Sequence, residues 1–135
     1  MHTGGCYCNA IRYQVTDQVI NSTNCHCNMC RGTTGAPMVA WFSVSSAAFS
    51  LLSGTPVSYR SSAHATRTFC PTCGTQLTFA DDATPGEIDI TTCSLDHPDA
   101  VPPHDHTFID DKVAWLALDD GLPRYRRSRS EDQVA

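Results

Sequence analysis

A chain of 135 residues, 41% of them apolar, with a net charge of −5 is long enough for one domain to bury roughly two-thirds of the surface it exposes unfolded. The acidic balance argues against a phosphate-backbone partner, so no nucleic-acid binding is expected, because such partners are held by Lys and Arg clustered over a whole face. No apolar run is long enough to span a bilayer, and the start Met1-His2-Thr3-Gly4-Gly5-Cys6 lacks the basic and apolar segments of a secretory signal, so a cytoplasmic protein without a membrane partner is expected.

Taken in chain order, the predicted elements are mostly β. Ile11, Tyr13 and Val15 alternate with polar residues, as a half-buried strand requires. After Cys27 a short helical turn is the one helix expected. Met38 to Val44 is a nearly continuous apolar run, which fits a strand buried on both faces. Further strands are read at Val57 to Arg60, Arg67 to Phe69, Gln76 to Phe79, Ile88 to Thr92, His106 to Ile109 and Val113 to Leu118. Between them Ser53-Gly54-Thr55-Pro56, Thr84-Pro85-Gly86 and Asp119-Asp120-Gly121 signal turns, and His97 to Pro103 reads as an irregular loop. Trp41 and Trp115 are expected to anchor the core. Arg124, Arg126, Arg127 and Arg129 mark a polar end to the chain.

The cysteines carry the chemistry. They fall into Cys6-x-Cys8, Cys25-His26-Cys27-x-x-Cys30 and Cys70-Pro71-Thr72-Cys73-Gly74, with Cys93 outside any cluster. In a reducing compartment this grouping reads as metal ligation rather than a disulfide framework. Zinc takes four ligands in a tetrahedron, and two short thiolate pairs complete one closed structural site. In the third cluster Pro71 stiffens the loop, and Gly74 can adopt the left-handed conformation that turns backbone N–H groups toward sulfur. Cys6 and Cys8, at i and i+2 of an extended segment, would face one side with Tyr7 turned away. Spacing alone leaves open whether this pair joins Cys70 and Cys73 or the middle cluster.

Cys25, Cys27 and Cys30 bring three sulfurs into one short segment with no obvious fourth ligand; Cys93, otherwise expected as a buried free thiol, is the candidate to close the set. Three thiolates leave zinc a weak activator of water, yet an open position there could take an incoming thiol as its thiolate. The natural consequence is sulfur chemistry, such as addition of a thiol to a small aldehyde or its reversal. His26, between two ligands, should point away from them and pack or hydrogen-bond, with proton transfer as its functional alternative. His104 and His106 are either surface residues or pocket-lining ones. Arg31 either balances thiolate charge or meets a substrate carboxylate. Two other functions fit the same cysteines. One is a non-catalytic interaction module with two structural zinc sites; the other is a redox dithiol at Cys70 and Cys73, although no βαβ context supports it.

Gly5-Cys6-Tyr7-Cys8, Cys25-His26-Cys27-Asn28-Met29-Cys30-Arg31 followed by Gly35-Ala36, Phe69-Cys70-Pro71-Thr72-Cys73-Gly74-Thr75, Leu95-Asp96, and Asp119-Asp120-Gly121-Leu122-Pro123 together resemble the glutathione-dependent formaldehyde-activating enzyme family, which also includes centromere protein V. The resemblance runs from Gly5 to about Tyr125. It implies a mainly β, zinc-stabilised tent fold with little helix, related to the tent folds of Rab-exchange-factor-like proteins. It also implies two zinc ions per chain: a structural one on Cys6, Cys8, Cys70 and Cys73, and a second, more labile one on Cys25, Cys27 and Cys30. There, members are proposed to promote addition of glutathione to formaldehyde, giving S-hydroxymethylglutathione, a reaction filed with the carbon–sulfur lyases. Arg31, Arg60 and Arg67 are the candidates to meet the carboxylates of such a thiol. A single zinc domain over residues 1–125, then a disordered Arg/Ser tail over 126–135, completes the expectation. Ala114 before Trp115, where members often have Pro, Cys93 in place of a small residue, and the Arg-rich tail depart from the pattern.

Overall fold

The computed structural model describes residues 1–16, 18–129, 133 and 134. In chain order the strands are β1 (His2–Gly5), β2 (Arg12–Val15), β3 (Asn21–Cys25), β4 (Val39–Ser45), β5 (Phe49–Ser53), β6 (Val57–Arg60), β7 (Ala65–Phe69), β8 (Gln76–Asp81), β9 (Glu87–Thr91), β10 (Asp105–Thr107), β11 (Arg124–Tyr125) and β12 (Gln133–Val134). Helix α1 (Asn28–Thr34) follows β3, and short 3-10 turns make up the remaining helix. The fold is mainly β, as the composition and turn spacing imply. The chain divides into two units, Met1–Asn21 with Phe42–Pro102, and Ser22–Trp41 with Pro103–Ala135, so that the second boundary falls inside β4.

The first unit owns a conventional apolar core. β1, β2 and β5 form an antiparallel sheet in that order, and β6, β7, β8 and β9 continue antiparallel from hairpin to hairpin. Alternation in β2 works as period-two patterning demands: Tyr13 and Val15 are fully buried, with Ile11 just ahead of the strand. They pack with Phe42, Val44, Leu77, Ile90 and Leu95, and Cys6 and Cys70 belong to the same cluster. Two metal-capable cysteines are thus seated in apolar packing. Asp96 fastens this unit by a bidentate bond with Arg12 and a bond from Thr3, and the guanidinium beside it holds the Asp96 carboxyl down to about 2.

The second unit is built differently. β10 runs parallel to both β3 and β11, and β11 pairs antiparallel with β12. Its buried side chains are largely polar: Ser22, Asn24, His26, Asp105, His106 and Thr107, beside Val39, Trp41 and the cysteines Cys25, Cys27 and Cys30. Polarity in buried positions explains why β3, Asn21-Ser22-Thr23-Asn24-Cys25, carries no hydrophobic alternation and was not expected as a strand.

The structure corrects several expectations. Val113 to Leu118 is not a strand. Lys112 Nζ donates to the carbonyls of Val113 (3.0 Å) and Leu116 (2.6 Å), and Arg124 donates to that of Leu118 (2.9 Å), so cationic side chains take carbonyls that a strand would offer to a ladder. Trp115, in this segment, is 74% exposed and anchors no core, whereas Trp41 is buried as expected. Cys93 is exposed on a 3-10 turn, not buried. Of the expected tail, Ser130, Glu131, Asp132 and Ala135 lie outside the described residues, as does Asp17. In its described part, Arg129 makes a two-pronged bond to the buried Asp105 carboxylate (2.7 and 3.1 Å), and the Arg127 carbonyl accepts from Phe108 N–H.

Candidate functional site

None of the eight cysteines is in a disulfide, and seven of them fall into two groups. Within each group the sulfurs lie within 4.8 Å of one another: Cys6, Cys8, Cys70 and Cys73 in the first unit, Cys25, Cys27 and Cys30 in the second.

The quartet is assembled by two turns. Cys6 and Cys8 do not sit on an extended segment as the i, i+2 spacing suggested. A turn closed by Asn9 N–H on the Cys6 carbonyl brings them together and leaves Tyr7 exposed. Cys70 and Cys73 lie on the connection between β7 and β8, where Gly74 takes φ 79° and donates to the Cys70 carbonyl. That is the left-handed position anticipated for it. The hairpin context, with no βαβ unit, is unlike that of a thioredoxin-type dithiol. Sulfur separations are 3.6 Å for Cys6–Cys8 and 3.8 Å for Cys8–Cys70. Four thiolates on one zinc ion at about 2.3 Å stand about 3.8 Å apart, whereas a disulfide needs about 2.05 Å. The donor set and spacing therefore fit zinc. Ile11 N–H points at Cys6 Sγ (3.2 Å), and Thr72 and Cys73 N–H point at Cys70 Sγ (3.4 and 3.5 Å). Those donors stabilise sulfur charge. The Cys73 thiol is driven down to about 5, first by the Thr75 hydroxyl and then by backbone N–H groups.

The trio is assembled by a strand end and a helix start. Cys25 ends β3, Cys27 caps α1 with its sulfur accepting Cys30 N–H at 3.3 Å, and Cys30 lies in the first turn. Gly35, at φ 73°, closes the helix by donating to the Arg31 carbonyl. All three cysteines are buried. Hydrogen bonds within the trio push Cys27 below the usual thiol range and Cys25 above it. Among the described residues no fourth His, Cys, Asp or Glu joins this set, and Cys93 is not part of it. Three soft donors in a buried cup fit zinc with a position to spare.

The neighbours of the trio resolve further expectations. His26 is fully buried, and its Nε2 meets His106 Nδ1 at 2.9 Å. Burial first, then the charges of His106, Lys112, Arg124 and Arg31, lower its pKa to about 4. His106 Nε2 in turn meets Asp120 Oδ2 at 2.7 Å. Sequence reasoning read Asp119-Asp120-Gly121 as a turn and as part of one motif of the family resemblance, and no local signal links it to His106. His104 is exposed, so the two histidines after Pro103 part company. Arg31 bonds to the Asn28 side chain and, at 3.3 Å, to the His26 carbonyl. It also lines a hollow of about 440 Å³ with Asn28, Gly32, Pro37, Val113 and Trp115. The spacing of Asn28, Arg31 and Gly32 sets them on one face of α1, and Cys30 is not on that face. Arg60 and Arg67 belong to the first unit. There Arg60 pairs with Asp82, and Arg67 is buried over the Phe79 ring.

The sequence profile of the family described as glutathione-dependent formaldehyde-activating enzyme matches residues 1–111. The chain belongs to this family. Among solved structures, the crystal structure of a Rhodobacter sphaeroides protein, a Northeast Structural Genomics target, is similar with a TM-score of 0.59 and 23% identity over 70% of this chain and 87% of that chain. That likeness is one of fold. Both metal-capable groups of this family member lie inside the matched residues, and Asp120 lies beyond them. Among the described residues no helix is long and apolar enough to cross a membrane.

Proposed function

We propose that this member of the glutathione-dependent formaldehyde-activating family is a carbon–sulfur lyase-type enzyme. It would join a small thiol, glutathione by the family's description, reversibly to formaldehyde or a similar small carbonyl compound. The observation that carries the reading is the contrast between a complete set of four thiols, Cys6, Cys8, Cys70 and Cys73, and a buried set of three, Cys25, Cys27 and Cys30. The quartet would hold a structural zinc ion and the trio a second one, two per chain. Zinc held by the trio would supply the positive charge that favours the thiolate form of an entering thiol.

The chain's own residues account for the rest. N–H groups at the start of α1 stabilise charge at Cys27, and burial of the trio excludes bulk water from the sulfur. Arg31, held by Asn28 and the His26 carbonyl, keeps further guanidinium hydrogens for a carboxylate of the thiol substrate. In the forward direction the thiol sulfur bonds to the carbonyl carbon, the C=O π pair moves to oxygen, and the thiol proton ends on that oxygen as a hydroxyl. The domain would span residues 1–125 and work in the cytoplasm, without a nucleic-acid or membrane partner.

Exchange NMR on a thiol, formaldehyde and their hemithioacetal tests this. Exchange should be faster with the protein, and Cys27→Ala should abolish the gain while the quartet keeps its metal. Equal rates for the two proteins would remove the enzyme reading.

A second reading, an interaction module with two structural ions, has one observation in its favour. Leu51 and Leu52 on β5 and Val57 and Tyr59 on β6 are exposed apolar side chains on strands at sheet edges. An ion in the trio whose every position is filled by the polypeptide would favour that reading; one that exchanges water or thiol would favour the enzyme.

A further inference from the structure

Two fully buried rings and one exposed carboxylate in the second unit form a line that the proposed chemistry does not use. The Asp120 carboxylate takes a hydrogen bond at 2.7 Å on Oδ2 from His106 Nε2 and another at 3.1 Å on Oδ1 from Leu122 N–H. A carboxylate can only accept, so His106 Nε2 carries the proton. With that single ring proton on Nε2, His106 Nδ1 is the acceptor. It faces His26 Nε2 at 2.9 Å, so His26 must donate through Nε2 and is left with a bare lone pair on Nδ1. Direction thus passes from a partly exposed acid, through one buried ring, to a second ring that sits between Cys25 and Cys27. The His26 Nδ1 atom is buried and has no hydrogen-bond partner among the described residues.

The backbone of His26 is pinned as firmly as its ring. Its N–H donates to the Thr107 carbonyl at 3.1 Å, and its carbonyl accepts from Arg31 Nε at 3.3 Å. Cys25 lies opposite Thr107 in the parallel pairing of β3 with β10, the strand that carries His106. The segment Cys25 to Cys27 is therefore tied to β10 through Thr107, to Asp120 through His106, and to α1 through Arg31.

We propose that Asp120, His106 and His26 form a positioning chain that fixes the ring orientation and tautomer of His26 and so holds Cys25 and Cys27 in register to ligate one metal ion. The three act through hydrogen bonds and touch neither the ion nor a substrate. This is the logic by which outer partners orient metal ligands, where loss of one typically lowers metal affinity about 10–100-fold. The inference rests on the reading of the trio as a metal site, and the experiment separates the two.

Long-range proton–nitrogen correlation NMR on the full chain should show both His26 and His106 as Nε2–H tautomers. An Nδ1–H tautomer at His26 overturns the proposal, and this measurement needs no variant. Titration with cadmium, followed by cadmium-113 NMR, should then give one resonance from the quartet and another from the trio. Asp120→Ala should mix the His26 tautomers and weaken the trio's affinity about 10–100-fold while the quartet is unmoved. Asp120→Asn, which keeps an acceptor oxygen for His106, should restore the trio toward the unaltered chain. If Asp120→Ala binds cadmium in the trio as tightly as before, or if Asp120→Asn is as weak as Asp120→Ala, the chain does not position the site. Absence of any trio resonance in the unaltered protein would instead defeat the metal reading itself.

Discussion

Replacing Cys70 by serine tests the quartet at its most buried member. Cys70 is fully buried within the apolar core of the first unit, stands 3.8 Å from Cys8 Sγ and receives N–H bonds from Thr72 and Cys73. Serine keeps the two N–H partners but gives up the soft donor that zinc prefers. Structural zinc contributes about 10–16 kcal/mol to the folding of small zinc domains, so one of four thiolates represents about 3 kcal/mol. Against a total stability of about 5–15 kcal/mol this is a large fraction. With a urea dependence of about 1–3 kcal/mol per molar, the unfolding midpoint should fall by about 1–3 M. The assay is urea unfolding by far-ultraviolet circular dichroism, paired with elemental analysis of bound zinc. Cys93→Ser is the control, because Cys93 is exposed and joins neither group; its effect should stay within about 0.5 kcal/mol. If Cys70→Ser kept its zinc and its midpoint, the quartet would not be a structural metal site.

The remaining predictions are more local. His26, lowered to about 4 by burial, stays neutral in the fold while the unfolded chain takes up a proton near its ordinary value of about 6.5. Stability should therefore fall as pH drops from about 6.5 to 4, by up to about 3 kcal/mol. Urea titrations at stepped pH should show a flatter profile for His26→Gln. Arg31→Ala should raise KM for a thiol bearing carboxylates about tenfold, the scale of one charge-assisted hydrogen bond, and should leave a neutral thiol such as 2-mercaptoethanol unaffected in steady-state kinetics. Trp115→Ala, at an exposed position, should change stability by less than about 0.5 kcal/mol, whereas Trp41→Ala should cost about 3–5 kcal/mol in thermal or urea unfolding.

Legibility in the sequence followed the physics of each unit. Strands β2, β4, β8 and β9 were readable because they bury apolar side chains, and burial of apolar groups on a pleated strand leaves a periodic trace; β6 was readable from its β-branched and aromatic residues, although all four of its residues are exposed. β3 left none, because its inward residues Ser22 and Asn24 are polar. Val113 to Leu118 failed in the opposite sense. It has the composition of a strand, but Lys112 and Arg124, both outside the segment, take its carbonyls, and no window of local pattern can see that. The cysteine groups were readable from spacing, since each pair or trio is local in the chain. What joined Cys6 and Cys8 to Cys70 and Cys73 was the family resemblance, and the sulfur geometry agrees with it. The Asp120–His106–His26 line was not readable, because its members come from three separate segments and each has an ordinary local role.

The difference between the two interiors bears on why the two cysteine groups should differ in chemistry. In the first unit Cys6 and Cys70 pack with Ile11, Tyr13, Phe42 and Leu77, so the quartet is held by the same burial that holds the fold, and four thiolates leave no position for another ligand. The second unit buries mostly polar side chains, which contribute modestly when satisfied and are costly when not. Such an interior has a small margin of its own, so an ion drawn to Cys25, Cys27 and Cys30 would contribute much of its order. Under the proposed function it would also be the place for sulfur chemistry. There the trio would owe its geometry to directional hydrogen bonds such as that of Cys30 N–H to Cys27 Sγ, and an entering thiol would meet three oriented sulfurs outside the apolar core.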